Sequence, residues 1–174
     1  MNALSKRQFL KLSLASGVAL SLSACGGGDD HDIVDVLSDY SEYSLLVEAV
    51  QAAGLVDALK GRGPFTVFAP TNTAFVNLLG ELETTKDALF ADTELLTQIL
   101  TYHVVPARVL KAEVPLNTNI TTVEGTAFQV NSSLQIVDVA NRLPNIVTTA
   151  VLTSNGVIHV IVRVILPFDP SLPV

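Results

Sequence analysis

Tryptophan is absent from the 174-residue chain, which has one cysteine, one methionine and only 6% aromatic residues. The single cysteine, Cys25, has no partner for an intramolecular disulfide, so stability has to come from burial. Scarce aromatics count against sugar binding, because stacking platforms are missing. Charge is sparse as well, at 16% of residues, with 10 Lys and Arg against 17 Asp and Glu for a net charge of -7. Without a basic run the chain lacks the clustered cations that phosphate contacts require, and nucleic acid is excluded as a partner. What is abundant is apolar surface: 49% of residues are hydrophobic, too many for a disordered chain. The length points to one domain. Folding about 150 residues together buries roughly 68–70% of their unfolded surface, enough for a core.

The first 25 residues read as an address. Lys6, Arg7 and Lys11 form a basic start, followed by the thirteen uncharged residues Leu12 to Ala24. That run falls short of the ~20 residues a membrane-spanning helix needs. It closes on Leu22-Ser23-Ala24-Cys25, which resembles the lipobox of bacterial lipoproteins and implies cleavage before Cys25 and acylation of its thiol. Ser5 to Lys11 is similar to a twin-arginine export signal with Lys6 at the place of the first Arg, and the route stays open between that system and general secretion. The expected division is a signal peptide over 1–24, a flexible linker over 25–30, a domain over 31–168 and a tail over 169–174. Loss of 1–24 leaves seven basic and seventeen acidic groups, a net -10 that repels anionic headgroups. Membrane contact then runs through acylated Cys25.

Along the remaining chain the hydrophobic period changes. From Asp32 to Lys60 apolar residues recur at helical spacing in two short helices, the second stopped by Gly54, with a further turn over Leu55–Leu59. Phe65 to Ala69 reads as a strand closed by Pro70, and Thr71 or Asn72 caps a helix carrying Phe75, Leu78 and Leu79. Helical pattern continues over Thr84–Phe90 and Asp92–Leu100. After Tyr102 the β-branched runs Val104-Val105, Val109-Leu110, Ile120–Val123, Phe128–Val130, Leu134–Val137, Ile146–Thr149 and Val157–Leu166 alternate with Gly, Pro and Asn turns. Helices first and strands second predict an α+β fold with a mainly antiparallel sheet. Asn155-Gly156 reads as a tight-turn pair feeding a long strand, apolar on both faces and therefore central.

Three stretches carry a family resemblance. Thr66-Val67-Phe68-Ala69-Pro70-Thr71-Asn72-Thr73-Ala74-Phe75 is similar to the first signature box of fasciclin-like domains, Leu100-Thr101-Tyr102-His103-Val104-Val105-Pro106 resembles their central Tyr-His motif, and Asn155-Gly156-Val157-Ile158-His159-Val160-Ile161 their second box. The resemblance spans about residues 31–168 and implies a wedge or sandwich of about seven strands with helices along one side. It marks Thr66, Phe68, Pro70, Thr71, Phe75, Tyr102, His103, Asn155, Gly156 and His159 as motif positions of structural rather than chemical character. It also implies adhesion or matrix contact. The Asp-Ile pair implicated in integrin binding by animal members is Ala150-Val151 here, and there is no Arg-Gly-Asp, so integrin recognition does not carry over.

Chemistry is thinly supplied. Three histidines are present: His103 and His159 in apolar runs, and His31 among the acids of a tether. There is no His-Glu-x-x-His, no paired cysteine ligands, no Gly-x-Ser-x-Gly and no phosphate-binding glycine loop. Neither metal nor cofactor is expected, and the chain reads as no enzyme. Two Asn-x-Ser/Thr sequons, at Asn119 and Asn131, read as chance matches behind a bacterial lipobox. The expectation is a surface or periplasmic adhesion module for an unidentified protein or polymer. The competing reading is a lipoprotein that holds a small apolar ligand or lipid between helices and sheet.

Overall fold

The computed structural model describes residues 31–170. The export segment, Cys25, the whole of the expected linker and residues 171–174 of the expected tail lie outside the described residues.

Helices fill the N-terminal half because apolar residues recur there every three or four positions and the helix starts are capped. α1 (Ile33–Ser38) begins at Asp32, whose carboxylate accepts from the N–H of Val34 and Asp35 at 2.8 and 2.9 Å, while the Asp35 carboxylate accepts from the Asp32 N–H. α2 (Ser44–Ala52) runs out just before Gly54, whose φ of +67° ends the helix at no steric cost. α3 (Val56–Leu59) is a single turn ahead of the Gly61–Pro64 loop. α4 (Asn72–Glu81), α5 (Lys86–Ala91) and α6 (Thr93–Tyr102) are capped by Thr71, Thr85 and Asp92. Ile33 and Leu37, then Leu46, Ala49 and Val50, then Leu96, Ile99 and Leu100 are the buried stripes of three of these helices.

Seven strands are present among the described residues, in two sheets. β1 (Phe65–Pro70) lies between β2 (Val104–Val105) and β7 (Gly156–Ile161), with β6 (Ile146–Leu152) beyond β7. β3 (Asn119–Thr121), β4 (Ala127–Val130) and β5 (Ile136–Val137) form the second sheet. All pairings are antiparallel except β1 with β7, which run parallel from Phe65 opposite Gly156 to Pro70 opposite Ile161. β7 is buried at all six positions and central, as its two apolar faces demand. Alternation along β1 divides the interior: Val67 and Ala69 join the helix-side core, and Phe68 joins a second core with Tyr102, Phe128, Ile136 and Ile161. The resulting α+β fold has helices on one face of the four-stranded sheet and the three-stranded sheet against the other.

Several local expectations are corrected. Val109-Leu110 is no strand, because the Val109 N–H donates to Thr66 Oγ1 at 2.9 Å and the Val109 carbonyl is bonded to His159, so side chains replace a ladder. The strand expected over Val157–Leu166 stops at Ile161, and β5 covers only Ile136–Val137 of the run begun at Leu134. His103 caps the end of α6, and its carbonyl accepts from the Phe68 N–H at 2.9 Å, so it stands at the junction of α6 with β2. The Asn155-Gly156 turn is also displaced: the Thr153 N–H donates to the Gly156 carbonyl at 3.0 Å, which puts Ser154 and Asn155 at the turn's centre. Gly156 is required for closeness instead, since a Cβ there would stand 2.2 Å from the Phe65 carbonyl oxygen.

Candidate functional site

The motif residues from the three boxes converge on the β1/β7 pair and its two ends. Thr66, fully buried, donates its hydroxyl to the Ala107 carbonyl at 2.6 Å and so ties the strap after β2 to β1. Phe68 stacks on His159 at 5.4 Å between ring centres and meets Phe128 edge-on at 5.1 Å, and Phe128 in turn meets Tyr102 edge-on at 5.9 Å. Tyr102 donates its hydroxyl to the Ala127 carbonyl at 3.4 Å, and burial raises its pKa. Pro70 occupies the last position of β1, Thr71 caps α4 through the Ala74 N–H at 3.4 Å, and Phe75 lies in the helix-side core.

Asn155 works as a clasp. Its amide nitrogen donates to the carbonyls of Leu59 and Gly61 at 2.7 and 3.0 Å, and its amide oxygen accepts from the Ile33 N–H at 3.1 Å. One side chain therefore holds the start of α1, the end of α3 and the β6–β7 turn together. Cys25 lies outside the described residues.

His103, at the end of α6, and His159, inside β7, are neutral, and their partners assign their tautomers. His103 Nδ1 faces the Ile99 carbonyl at 2.7 Å, so it carries the proton, and Nε2 accepts from the Ile165 N–H at 3.1 Å. His159 is the reverse: Nε2–H donates to the Val109 carbonyl at 2.9 Å, and Nδ1 accepts from the Ala150 N–H at 3.2 Å. A second proton on either ring would point at a backbone N–H. Burial is the largest cause of the lowered pKa of both rings, and brings His103 down to about 4. Both rings bind the molecule together with every nitrogen in use, and neither has a free nitrogen for proton transfer. Among the described residues, no three His, Cys, Asp or Glu side chains gather as metal ligands.

Features that sequence reasoning missed are tertiary. Asp138, its side chain 0% exposed, receives the guanidinium of Arg142 at 2.6 Å and the N–H groups of Arg142 and Leu166. Arg142 reaches on to Glu81 at 3.0 Å, and Glu81 also binds Arg163 at 2.9 Å, which ties α4 to the β5–β6 connection and the segment after β7. Beside this network an open groove of about 600 Å³ is lined by Val76, Leu143 and Val162, which are 60%, 49% and 40% exposed, with Glu81 and Arg163 at its rim. A second, almost wholly apolar cavity of about 290 Å³ lies between helices and sheet, bounded by Leu37, Leu46, Val50, Phe65, Leu100 and Val123. The i, i+4 spacing of Asp138 and Arg142 is the one trace of this network in the sequence.

The class follows from this arrangement: an α+β domain whose parallel β1/β7 pair is sealed by helices on one face and a second sheet on the other. It aligns with a solved FAS1 domain pair from the insect cell adhesion molecule Fasciclin I at a TM-score of 0.69 and 16% identity, over 82% of this chain and 53% of that one, a likeness of fold alone. The chain belongs to the fasciclin domain family, whose Fasciclin domain matches residues 41–167. It is 44% identical over 138 residues to protein sll1483 of a Synechocystis species, covering 78% of this chain and 73% of that protein. To protein sll1735 of the same organism it is 39% identical over 137 residues, covering 78% and 97%. The transforming growth factor-beta-induced protein ig-h3 of Sus scrofa shares 35% over 136 residues, 78% of this chain but only 19% of that protein.

Proposed function

We propose that the protein is an exported, lipid-anchored binding module. Acylated Cys25 holds it on a membrane, and the fasciclin domain makes adhesive contact with a protein or polymer of the cell surface or matrix, without catalysis. The observation that carries this reading is the open groove beside α4. Three exposed aliphatic side chains, Val76, Leu143 and Val162, share one surface with a charged rim, the composition of a protein-contact patch. Family membership and the fully bonded motif histidines support a role in contact rather than chemistry. The test compares surface attachment of cells lacking the protein, cells with the parent chain and cells carrying Val76→Asp with Val162→Asp. Attachment falls in the first and third groups, and Cys25→Ala moves the protein out of the membrane fraction. Equal attachment in all groups refutes the adhesive role.

The apolar cavity favours a second reading. Its volume of about 290 Å³ is room for a small apolar ligand between helices and sheet. It is roughly twice the ~150 Å³ that accommodates a benzene-sized guest. Native mass spectrometry of the purified chain tests it: a retained apolar small molecule supports the reading, and an empty chain that also takes up no added alkane-bearing probe rejects it.

A further inference from the structure

The distribution of cations is uneven. Among the described residues Lys60, Lys86, Arg142 and Arg163 pair with carboxylates at 2.6–3.0 Å, whereas Arg62, Arg108 and Lys111 have no ion pair. Lys60, Arg62 and Arg108 line a single cleft of about 440 Å³, and no carboxylate lines it. In a chain with 17 acids against 10 bases this cleft reverses the sign of the surface. Lys60 is bound by two carboxylates, Asp32 and Asp35, so with Arg62 and Arg108 the local sum is one net positive charge, and it is carried by the two arginines.

Both arginines are displayed from backbone that is held on either side. Gly61, before Arg62, has its carbonyl bonded by the Asn155 amide at 3.0 Å; Gly63, after it, packs so closely that an added Cβ would lie 1.9 Å from the Asn155 carbonyl oxygen. Ala107, before Arg108, has its carbonyl bonded by Thr66 Oγ1 at 2.6 Å, and Val109, after it, is held by Thr66 and His159 at 2.9 Å. Three residues of the motif boxes thus fix where the two guanidinium groups emerge. A binding site placed on a rigid frame loses less conformational freedom on binding than one on free loops.

We propose that this cleft binds the acid group of an acidic saccharide, a uronate or sulfated sugar unit of a surface or matrix polysaccharide. Guanidinium forks match planar carboxylate and sulfate oxygens two at a time, which a lone ammonium does not. No aromatic side chain lines the cleft, so a neutral sugar ring has nothing to stack on, and the acid substituent is the feature read. Its lining also offers no large aliphatic side chain to seat a peptide residue, and its volume admits a sugar-sized unit.

The test is calorimetric titration of the purified full-length chain with a galacturonate trisaccharide, with maltotriose as the neutral counterpart and with sodium sulfate as the bare ion. The acidic trisaccharide binds saturably, and more weakly as salt rises. Arg62→Ala and Arg108→Ala each weaken binding by about ten-fold or more. Lys111→Ala binds like the parent, and all three variants melt where the parent does, because these side chains are exposed and unpaired. Binding of maltotriose as tight as that of the galacturonate overturns the proposal, as does sulfate alone binding as tightly as the trisaccharide. Parent-like binding by both arginine variants overturns it too. The adhesive reading has a separate assay and separate residues, so either can fail alone.

Discussion

Acidification offers the sharpest test of the structure, through His103. Its ring is buried, and the neutral Nδ1–H form is fixed by the Ile99 carbonyl at 2.7 Å and the Ile165 N–H at 3.1 Å. Burial is the largest cause holding its pKa at about 4; the Ile99 bond opposes it, and the charges of Arg142 and Asp138 act with smaller and opposite effects. In the unfolded chain the ring titrates near 6.5. Between those values the unfolded state holds the extra proton, so stability is fully present above about pH 6.5 and is lost as pH falls toward 4. At about 1.4 kcal/mol per pH unit, the gap between 6.5 and 4 is worth ~3 kcal/mol, a large part of a domain's typical ~5–15 kcal/mol. His159, its pKa lowered too, adds loss of the same sign. Urea denaturation followed by far-UV circular dichroism at steps from pH 7 to 4.5 measures the effect. His103→Asn keeps a donor for Ile99 but does not titrate; it is less stable at pH 7 by ~1–3 kcal/mol and shows a shallower pH dependence. Nitrogen NMR of the parent places the proton on Nδ1 of His103 and on Nε2 of His159. Stability that stays level from pH 7 to 5, or an equal slope in parent and variant, refutes the argument.

Other substitutions test the packing. Gly156→Ala forces a Cβ to 2.2 Å from the Phe65 carbonyl and costs ~1–3 kcal/mol or more in urea unfolding, although the residue needs no positive φ. Asp138→Ala removes one of the two carboxylates of the Arg142 guanidinium, whose side chain is 9% exposed, and takes the acceptor from the Leu166 N–H while Glu81 still pairs with Arg142; it costs ~1.5–3 kcal/mol, whereas Lys86→Ala, which breaks an exposed pair with Glu48, stays within ~1 kcal/mol, and equal losses would count against the buried network. Ala150 adopts a φ of +63° in the irregular part of β6 while its N–H serves His159, so Ala150→Gly relieves left-handed strain and raises stability by ~1 kcal/mol, read as a higher Tm.

How much was legible in the chain depends on the range of the forces involved. α1, α2, α4 and α6 were readable because Asp32, Thr71 and Asp92 cap their own helices a few residues away, and because a stripe such as Leu96, Ile99 and Leu100 carries its period locally. The position of β7 was readable too, since a strand apolar on both faces has only the centre of a sheet to occupy. The motif positions were found, yet the work of their side chains was not. Asn155-Gly156 suggested a tight turn from its composition, but the Asn amide is committed to Leu59, Gly61 and Ile33, far off in the chain, and the Gly to a close crossing with Phe65. Val109-Leu110 has strand composition, but Thr66 and His159 bond it from strands that only folding brings beneath it.

By itself the sequence determined the α+β order of elements, the starts of α1, α4 and α6, the central strand and the absence of a cation run, because each follows from neighbours within a few residues or from composition. Only the tertiary structure decided the parallel union of β1 with β7, the tautomers of His103 and His159, the Asp138–Arg142–Glu81–Arg163 network and the sharing of one cleft by Arg62 and Arg108. The physical reason is range: a hydrogen bond or ion pair acts over a few ångströms of space, and although His103 with Ile99 and Asp138 with Arg142 are four residues apart, the partners that complete these arrangements are distant in the chain, Ile165 62 residues from His103, Val109 50 from His159 and Glu81 61 from Arg142.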